Sequence, residues 1–221
     1  MQHRKQIIYN LGIVETISEK KMKTIVKELS LLDKRLAEVI AKSPLCTIGR
    51  SATPVTHFES LVESVISQQL AIKAAETIYA RVLALANTKM TPLRIAKISE
   101  SDMRAAGVSG AKYRTIQSLA DAALTKKIKI NQLHELDSDE EISTKLMSLW
   151  GIGPWTVDMF MMFQLGRLDM WPTGDLGVRR GWEKIHSLKE QIDPKVLDSR
   201  GEKFRPYRSV VAWYCWRALE K

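Results

Sequence analysis

The residues best placed to do chemistry lie in two glycine-punctuated stretches. In Leu149-Trp150-Gly151-Ile152-Gly153-Pro154-Trp155-Thr156-Val157-Asp158 a helix is expected to end near Leu149, a Gly-x-Gly turn to reverse the chain, and Pro154 to open a new helix. Proline suits that place because its missing N–H has no intrahelical partner in a first turn. The two glycines would permit positive φ and keep the turn bare of side chains. Amides of the turn and of the new helix then point outward at the positive end of a helix dipole, a site for an anion such as a phosphate. A plain turn between two helices would use the same residues, and the local sequence leaves both readings open. The second stretch, Met170-Trp171-Pro172-Thr173-Gly174-Asp175-Leu176-Gly177-Val178-Arg179-Arg180-Gly181, sets one carboxylate, Asp175, before a helix expected from Leu176. By its spacing alone Asp175 fits an N-cap. Asp158, inside the helix after the turn, reads as the partner in a structural hydrogen bond or salt bridge, and Asp169 as an ordinary loop or cap residue.

The elements that must hold these stretches read as helices nearly throughout. Apolar residues recur at three- and four-residue steps in Phe58–Ile66, in Ala71–Leu85 with Ala74, Ile78, Val82 and Leu85 on one stripe, in Tyr113–Leu124 and in Ile142–Leu149. No strand-like alternation bounded by hairpin residues occurs. Breaks at Ser43-Pro44, Thr53-Pro54, Thr91-Pro92, Gly107 with Gly110, Asp193-Pro194 and Arg205-Pro206 divide the chain into about ten helices joined by short loops. The expected fold class is all-α.

Composition narrows the functional classes. Across 221 residues, 34 Lys and Arg against 25 Asp and Glu leave a formal charge of +9, which favours a polyanionic partner, nucleic acid being the commonest in a cell. With 45% apolar and 27% charged residues, the chain is ordinary globular material and not disordered. No uninterrupted apolar run is long enough to cross a bilayer. The basic Met1-Gln2-His3-Arg4-Lys5 is followed by an apolar run, Ile7 to Val14, broken by Asn10 and Gly12, which does not read as a secretory signal. Cys46 and Cys215 are too few for a disulfide scaffold, a four-thiolate zinc site or a cubane iron–sulfur cluster. They read as small buried apolar residues in a reducing compartment. His3, His57, His134 and His186 show no metal-ligand spacing, and the basic runs at Lys20-Lys21 and Lys126–Lys129 read as solvated surface.

Taken together, the two stretches resemble the helix-hairpin-helix DNA glycosylases, and within them the alkylbase glycosylases of the 3-methyladenine type II class. The signature of that superfamily is this hairpin, a following Gly/Pro-rich loop and an essential Asp at the start of the next helix. The resemblance runs from about Phe58 to the C-terminus, and includes Ile66-Ser67-Gln68-Gln69-Leu70 and Phe204-Arg205-Pro206-Tyr207-Arg208-Ser209. It implies two helical lobes with a cleft between them, one of residues 55–166 carrying the hairpin, the other pairing 1–54 with 167–221. An extra N-terminal β-domain found in some relatives has no room here, because helical patterning begins almost at once.

The resemblance also implies an activity: hydrolysis of the N-glycosidic bond of alkylated purines, such as 3-methyladenine and 7-methylpurines, in double-stranded DNA, as the first step of base excision repair. Breaking that bond builds positive charge on the deoxyribose, which a carboxylate at Asp175 would stabilise, and the same group is expected to orient or deprotonate a water. Members that also cut the DNA strand carry a lysine directly after the hairpin, where this chain has Trp155. Tryptophan forms no Schiff base, so the expected enzyme is monofunctional. Trp155 and Trp216 match aromatics of the base pocket, Tyr207 and Tyr214 could join them, and Trp150, Trp171, Trp182 and Trp213 read as core. Met159 falls where close relatives carry a stacking aromatic. Gly151, Ile152, Gly153 and Thr156 are expected at the DNA backbone, with Gln68, Gln69 and Leu70 in the turn that fills the gap left by a flipped nucleotide, Gln69 or Leu70 being the wedge. Backbone carbonyls of Met147, Trp150 and Ile152 match those that hold a structural Na+ or K+ in the family; no cofactor and no iron–sulfur cluster are expected. The chain is expected to act as a monomer away from membranes, in the cytoplasm with the nucleoid in a prokaryote or in the nucleus in a eukaryote. Two other readings stay open: a mismatch or deaminated-base glycosylase, and a non-catalytic helix-hairpin-helix DNA-binding module. The module has no use for a carboxylate aimed at DNA, so Asp175 favours an enzyme.

Overall fold

The computed structural model describes residues 16–50, 55–136 and 138–220. The expectations for the extreme N-terminus and for the break at Thr53-Pro54 lie outside them. Among the described residues are twelve α-helices and no strand: α1 Glu19–Leu32, α2 Lys34–Lys42, α3 His57–Ser67, α4 Ile72–Leu85, α5 Pro92–Ala96, α6 Glu100–Ala105, α7 Gly110–Leu124, α8 Asp139–Met147, α9 Pro154–Met159, α10 Leu176–His186, α11 Pro194–Gly201 and α12 Arg208–Leu219. The all-α expectation holds. Helices α5 and α6 exceed the expected number because each is too short to show a period. Side-chain caps start them instead, Thr91 accepting from the Arg94 amide and Ser99 from the Asp102 amide. In α4 Ile78 and Val82 of the expected stripe face the first core, but Ala74 and Leu85 are exposed and Ala75 is buried in place of Ala74.

Two apolar cores form. The first gathers residues between Phe58 and Leu165, with Phe58, Leu61, Ile66, Ile116, Leu119, Leu146 and Phe160 at its centre. The second packs Met22, Ile25, Leu29 and Leu36 of α1 and α2 against Val178, Trp182, Phe204 and residues Val210 to Cys215. Helix α9 belongs to both. It runs on into a π-helical turn, Phe160–Gln164, closed by the Leu165 amide donating to the Phe160 carbonyl at 3.1 Å. Val157, Phe160 and Met161 face the first core, whereas Met159 and Met162 face the second. Each fully buried side chain of this size contributes about 1.5–3 kcal/mol, so this one helix pins the two cores together.

The π turn also aims Gln164 inward. Its Nε2 donates to the Val55 carbonyl at 3.1 Å and meets His57 Nδ1 at 3.0 Å, while His57 Nε2 lies 2.9 Å from His134 Nδ1. Burial, with the neighbouring His134 second, pulls His57 down to about 4. Cys46 and Cys215 are both buried and free. Asp169 is more than a loop residue: its carboxylate accepts from Arg208 Nε at 2.7 Å and Arg205 Nη1 at 2.8 Å, and its carbonyl accepts from Arg208 Nη2 at 2.8 Å. The buried guanidinium of Arg208 needs that counter-charge.

Candidate active site

The hairpin between α8 and α9 rests on α7. Gly151 has φ +79°, and a Cβ there would come within 2.0 Å of Thr115 Oγ1, so this position excludes any side chain. Gly153 differs from expectation: its φ is −108°, and nothing lies within 4 Å of where its Cβ would be. It serves as the N-cap of α9 and leaves open space in front of the helix. The amides of Gly151, Gly153 and Trp155 donate to no acceptor among the described residues, which is the donor set an anion at this helix start would take. The Ile152 side chain is buried in the first core, so the hairpin tip presents backbone alone.

Gln68 and Thr156, expected to meet DNA, instead meet each other. Gln68 Nε2 donates to Thr156 Oγ1 at 2.9 Å and to the Gly151 carbonyl at 3.4 Å, and Thr156 is buried. The pair locks the α3–α4 turn to the hairpin. Lys112 closes the same corner, its Nζ donating to the carbonyls of Ile66 at 2.8 Å and Gln68 at 2.7 Å. Gln69 is held at φ +55°, a conformation costly for a residue with a side chain, and Leu70 beside it is exposed. The two wedge candidates are therefore presented outward on a rigid turn.

The loop that delivers Asp175 is pinned from both ends. Buried Ser209 accepts from the Met170 amide at 2.8 Å and donates to the Arg167 carbonyl at 2.8 Å. Trp171 Nε1 donates to the Leu197 carbonyl at 3.0 Å, lying where a Cβ on Gly201 would collide. Asp175 is an N-cap, Oδ1 accepting from the Val178 amide at 2.8 Å. It is also more than a cap: Oδ1 accepts from Trp216 Nε1 at 2.9 Å and Oδ2 from Trp155 Nε1 at 2.7 Å. Two indoles from α9 and α12 thus orient one carboxylate at the start of α10. Glycines allow it. A Cβ at Gly177 would strike Trp216 Cδ1 at 2.7 Å, and one at Gly181 would lie 2.0 Å from the Cys215 carbonyl oxygen.

Asp158 stands one turn beyond Trp155. Burial first, and the charge of Asp175 second, push its carboxyl up to about 6. None of the hydrogen bonds among the described residues engages it, contrary to the expected structural bond or salt bridge: its neighbour is another carboxylate, not a cation.

The aromatics divide differently from expectation. Trp171, Trp182 and Trp213 are core, but Trp150 is 51% exposed beside the hairpin. Met159, expected in the pocket, is buried in the second core, against which Trp155 and Trp216 also pack. Tyr214 is buried too, its hydroxyl donating to the Pro44 carbonyl at 3.3 Å. Phe163 was missed by sequence reasoning. It is 46% exposed and its ring centroid lies 5.7 Å from that of Trp216. An α-helical period cannot find it, because it lies within the π turn, whose pitch shifts the phase.

A family model of HhH-GPD superfamily base excision DNA repair proteins matches residues 62–206. The chain is 34% identical over 171 residues to DNA-3-methyladenine glycosylase 1 of Schizosaccharomyces pombe, covering 76% of this chain and 75% of that protein. A solved structure of the Schizosaccharomyces pombe 3-methyladenine DNA glycosylase in complex with abasic DNA superposes with a TM-score of 0.80 at 33% identity, over 87% of this chain and 95% of that one. A DNA-3-methyladenine glycosidase from Bacillus halodurans superposes with a TM-score of 0.73 at 34% identity, over 88% of each chain. With its hairpin, its capped acid and most of its length matched, the chain belongs to the HhH-GPD superfamily of base excision DNA repair proteins.

Proposed function

We propose that the chain is a monofunctional DNA glycosylase that hydrolyses the N-glycosidic bond of alkylated purines in duplex DNA. The observation that carries this reading is the Asp175 carboxylate, held by the indole N–H groups of Trp155 and Trp216 at the start of α10. As the C1′–N bond breaks, its electron pair leaves with the base and the sugar becomes an oxocarbenium-like cation. A carboxylate fixed before the reaction begins stabilises that charge without reorganising. Water then bonds to C1′ and loses a proton, with Asp175 orienting it or receiving that proton. The names of the relatives from Schizosaccharomyces pombe and Bacillus halodurans support alkylated purines as the substrate class. Trp155, where a lyase would need an amine, supports hydrolysis without strand cleavage.

The free amides of the hairpin supply a phosphate contact that is blind to sequence. The donor set suits a monovalent cation: the carbonyls of Met147, Trp150 and Ile152 accept no hydrogen bond among the described residues, and hard neutral oxygens would hold Na+ or K+. Such an ion would fix the hairpin and take no part in bond breaking. The protein acts as a monomer in this reading, in the cytoplasm or nucleus according to its host. Incubation with heavily methylated duplex DNA should release free methylated purine and leave the strand intact. DNA binding with no base released would favour the non-catalytic module, and release from uracil or mismatch duplexes alone would move the substrate class.

A further inference from the structure

Beside the hairpin lies a pair of side chains that neither the catalytic geometry nor the phosphate site uses. Trp150 precedes Gly151 and is 51% exposed, although a tryptophan ordinarily buries most of its surface. The Arg114 guanidinium stands over its ring at 4.6 Å from the centroid. Arg114 itself is exposed and makes no hydrogen bond or ion pair among the described residues. It is placed there by α7, whose Lys112 and Thr115 point inward to the Gln68 turn and to Gly151. The indole and guanidinium therefore share one edge of the lobe with the free hairpin amides and with the exposed Leu70.

That combination has a chemistry. A guanidinium stacked on an indole keeps its N–H edge open, and the stack restricts the side chain before any ligand arrives. The open edge suits phosphate oxygens, and the remaining indole surface suits a deoxyribose. The chain's +9 charge supplies complementarity to a polyanion. We propose that Trp150 and Arg114 act as one unit that grips the DNA backbone next to the phosphate held by the hairpin. The contact is independent of base and of lesion. It rests on the DNA-directed reading above and extends the grip beyond the hairpin backbone to two side chains.

The test measures Kd for labelled undamaged and methylated duplexes at several salt concentrations, with melting curves alongside. Trp150→Ala and Arg114→Ala should each weaken both duplexes alike by about five- to thirtyfold, the size of one stacking or charge-assisted contact. Arg114→Ala should also lower the slope of log K against log salt by about one. The double variant should lose less than the product of the single losses, since each leaves the other poorly held. Melting temperatures should stay within a few degrees, because both side chains are exposed. Lys27→Ala, which removes a charge from α1 instead, should bind within twofold of wild type. Binding within twofold for Trp150→Ala or Arg114→Ala overturns the proposal, as does an equal loss in Lys27→Ala, which would reduce it to net charge. Base release by the wild-type protein is scored separately. Losses of binding in a protein that releases no base leave this inference standing and defeat the glycosylase reading. Base release with unaltered binding in both variants does the reverse.

Discussion

Replacing Asp175 with Asn tests the centre of the mechanism, and the hydrogen bonds around it set the scale. The carboxylate accepts three donors, two on Oδ1 and one on Oδ2. An asparagine has one oxygen to offer. It keeps the Val178 amide and Trp216 by turning that oxygen to the Oδ1 place, which leaves its NH2 facing Trp155 Nε1. A part-buried indole donor then loses its partner, at a cost of about 1–3 kcal/mol in stability. The chemical loss is separate: removing a preorganised electrostatic stabiliser lowers the rate about a hundred- to a thousandfold or more. DNA binding should be equal or tighter, because a negative charge facing a polyanion is gone. The assay is single-turnover excision at saturating enzyme, with Kd and a melting curve on the same preparation. Adding Trp155→Phe to Asp175→Asn removes the orphaned donor, so the double variant should melt higher than the sum of the single losses predicts. Retention of most of the single-turnover rate in Asp175→Asn would refute the role given to this residue, whatever happens to its stability.

Borohydride treatment during turnover should trap no covalent protein–DNA adduct, because Trp155 has no amine to offer; a trapped adduct contradicts the monofunctional reading. The two hairpin glycines should part company: Gly151→Ala should destabilise the fold by about 1–3 kcal/mol through its collision with Thr115, seen as a lower melting temperature, whereas Gly153→Ala should melt normally and weaken binding to every duplex. Trp216→Ala should impair excision of neutral or bulky lesions more than of cationic 3-methyladenine, whose weak glycosidic bond needs less help; equal losses tracking a lower melting temperature would return Trp216 to a packing role. Asp158 and His57 should oppose each other in acid. Asp158, raised to about 6, burdens the fold at high pH, so Asp158→Asn should gain about 2–3 kcal/mol above pH 6, a gain that vanishes by about pH 4. His57, lowered to about 4, favours the unfolded form as pH falls from about 6.5 to 4. Stability against pH should therefore be flatter in the wild type than in Asp158→Asn across that window, and parallel curves would refute the pairing.

Much of this was legible in the sequence, and what was not has identifiable causes. Helices α3, α4 and α7 showed their period because each runs three turns or more, whereas the period read over Ile142–Leu149 overran the end of α8 at Met147. Asp175 could be placed at a helix start through the spacing of glycines, proline and acid, which depends on local backbone geometry. By spacing alone, however, it reads as an N-cap, and its role in the chemistry was legible only through the family resemblance. The partnership of Asp175 with Trp155 and Trp216 could not be read as hydrogen bonds, since it joins three helices distant in the chain. Trp150 looked like core because an aromatic at helical spacing usually is; its exposure follows from the hairpin that starts directly after it. Gln68 and Thr156 were expected at the DNA through the resemblance, and their pairing could not be read because it joins the α3–α4 turn to a helix 88 residues further along the chain. Phe163 was hidden by a change of helical pitch, which composition does not record.

The glycine at 181 has a wider meaning than its packing. It lies on the same helix as the acid's cap, about 9 Å along the axis from Asp175 at 1.5 Å per residue. A methyl group there cannot fit against the Cys215 carbonyl, so α10 would have to move off α12. Because Trp216 rides on α12 and Asp175 heads α10, that displacement opens the very bond that aims the carboxylate. The reaction is thus sensitive to a substitution in a dry seam that no substrate atom reaches. A survey ranking positions by their distance from the sugar would score Gly181 as inert, whereas a random library selected for base release should find it among the least forgiving sites in the molecule.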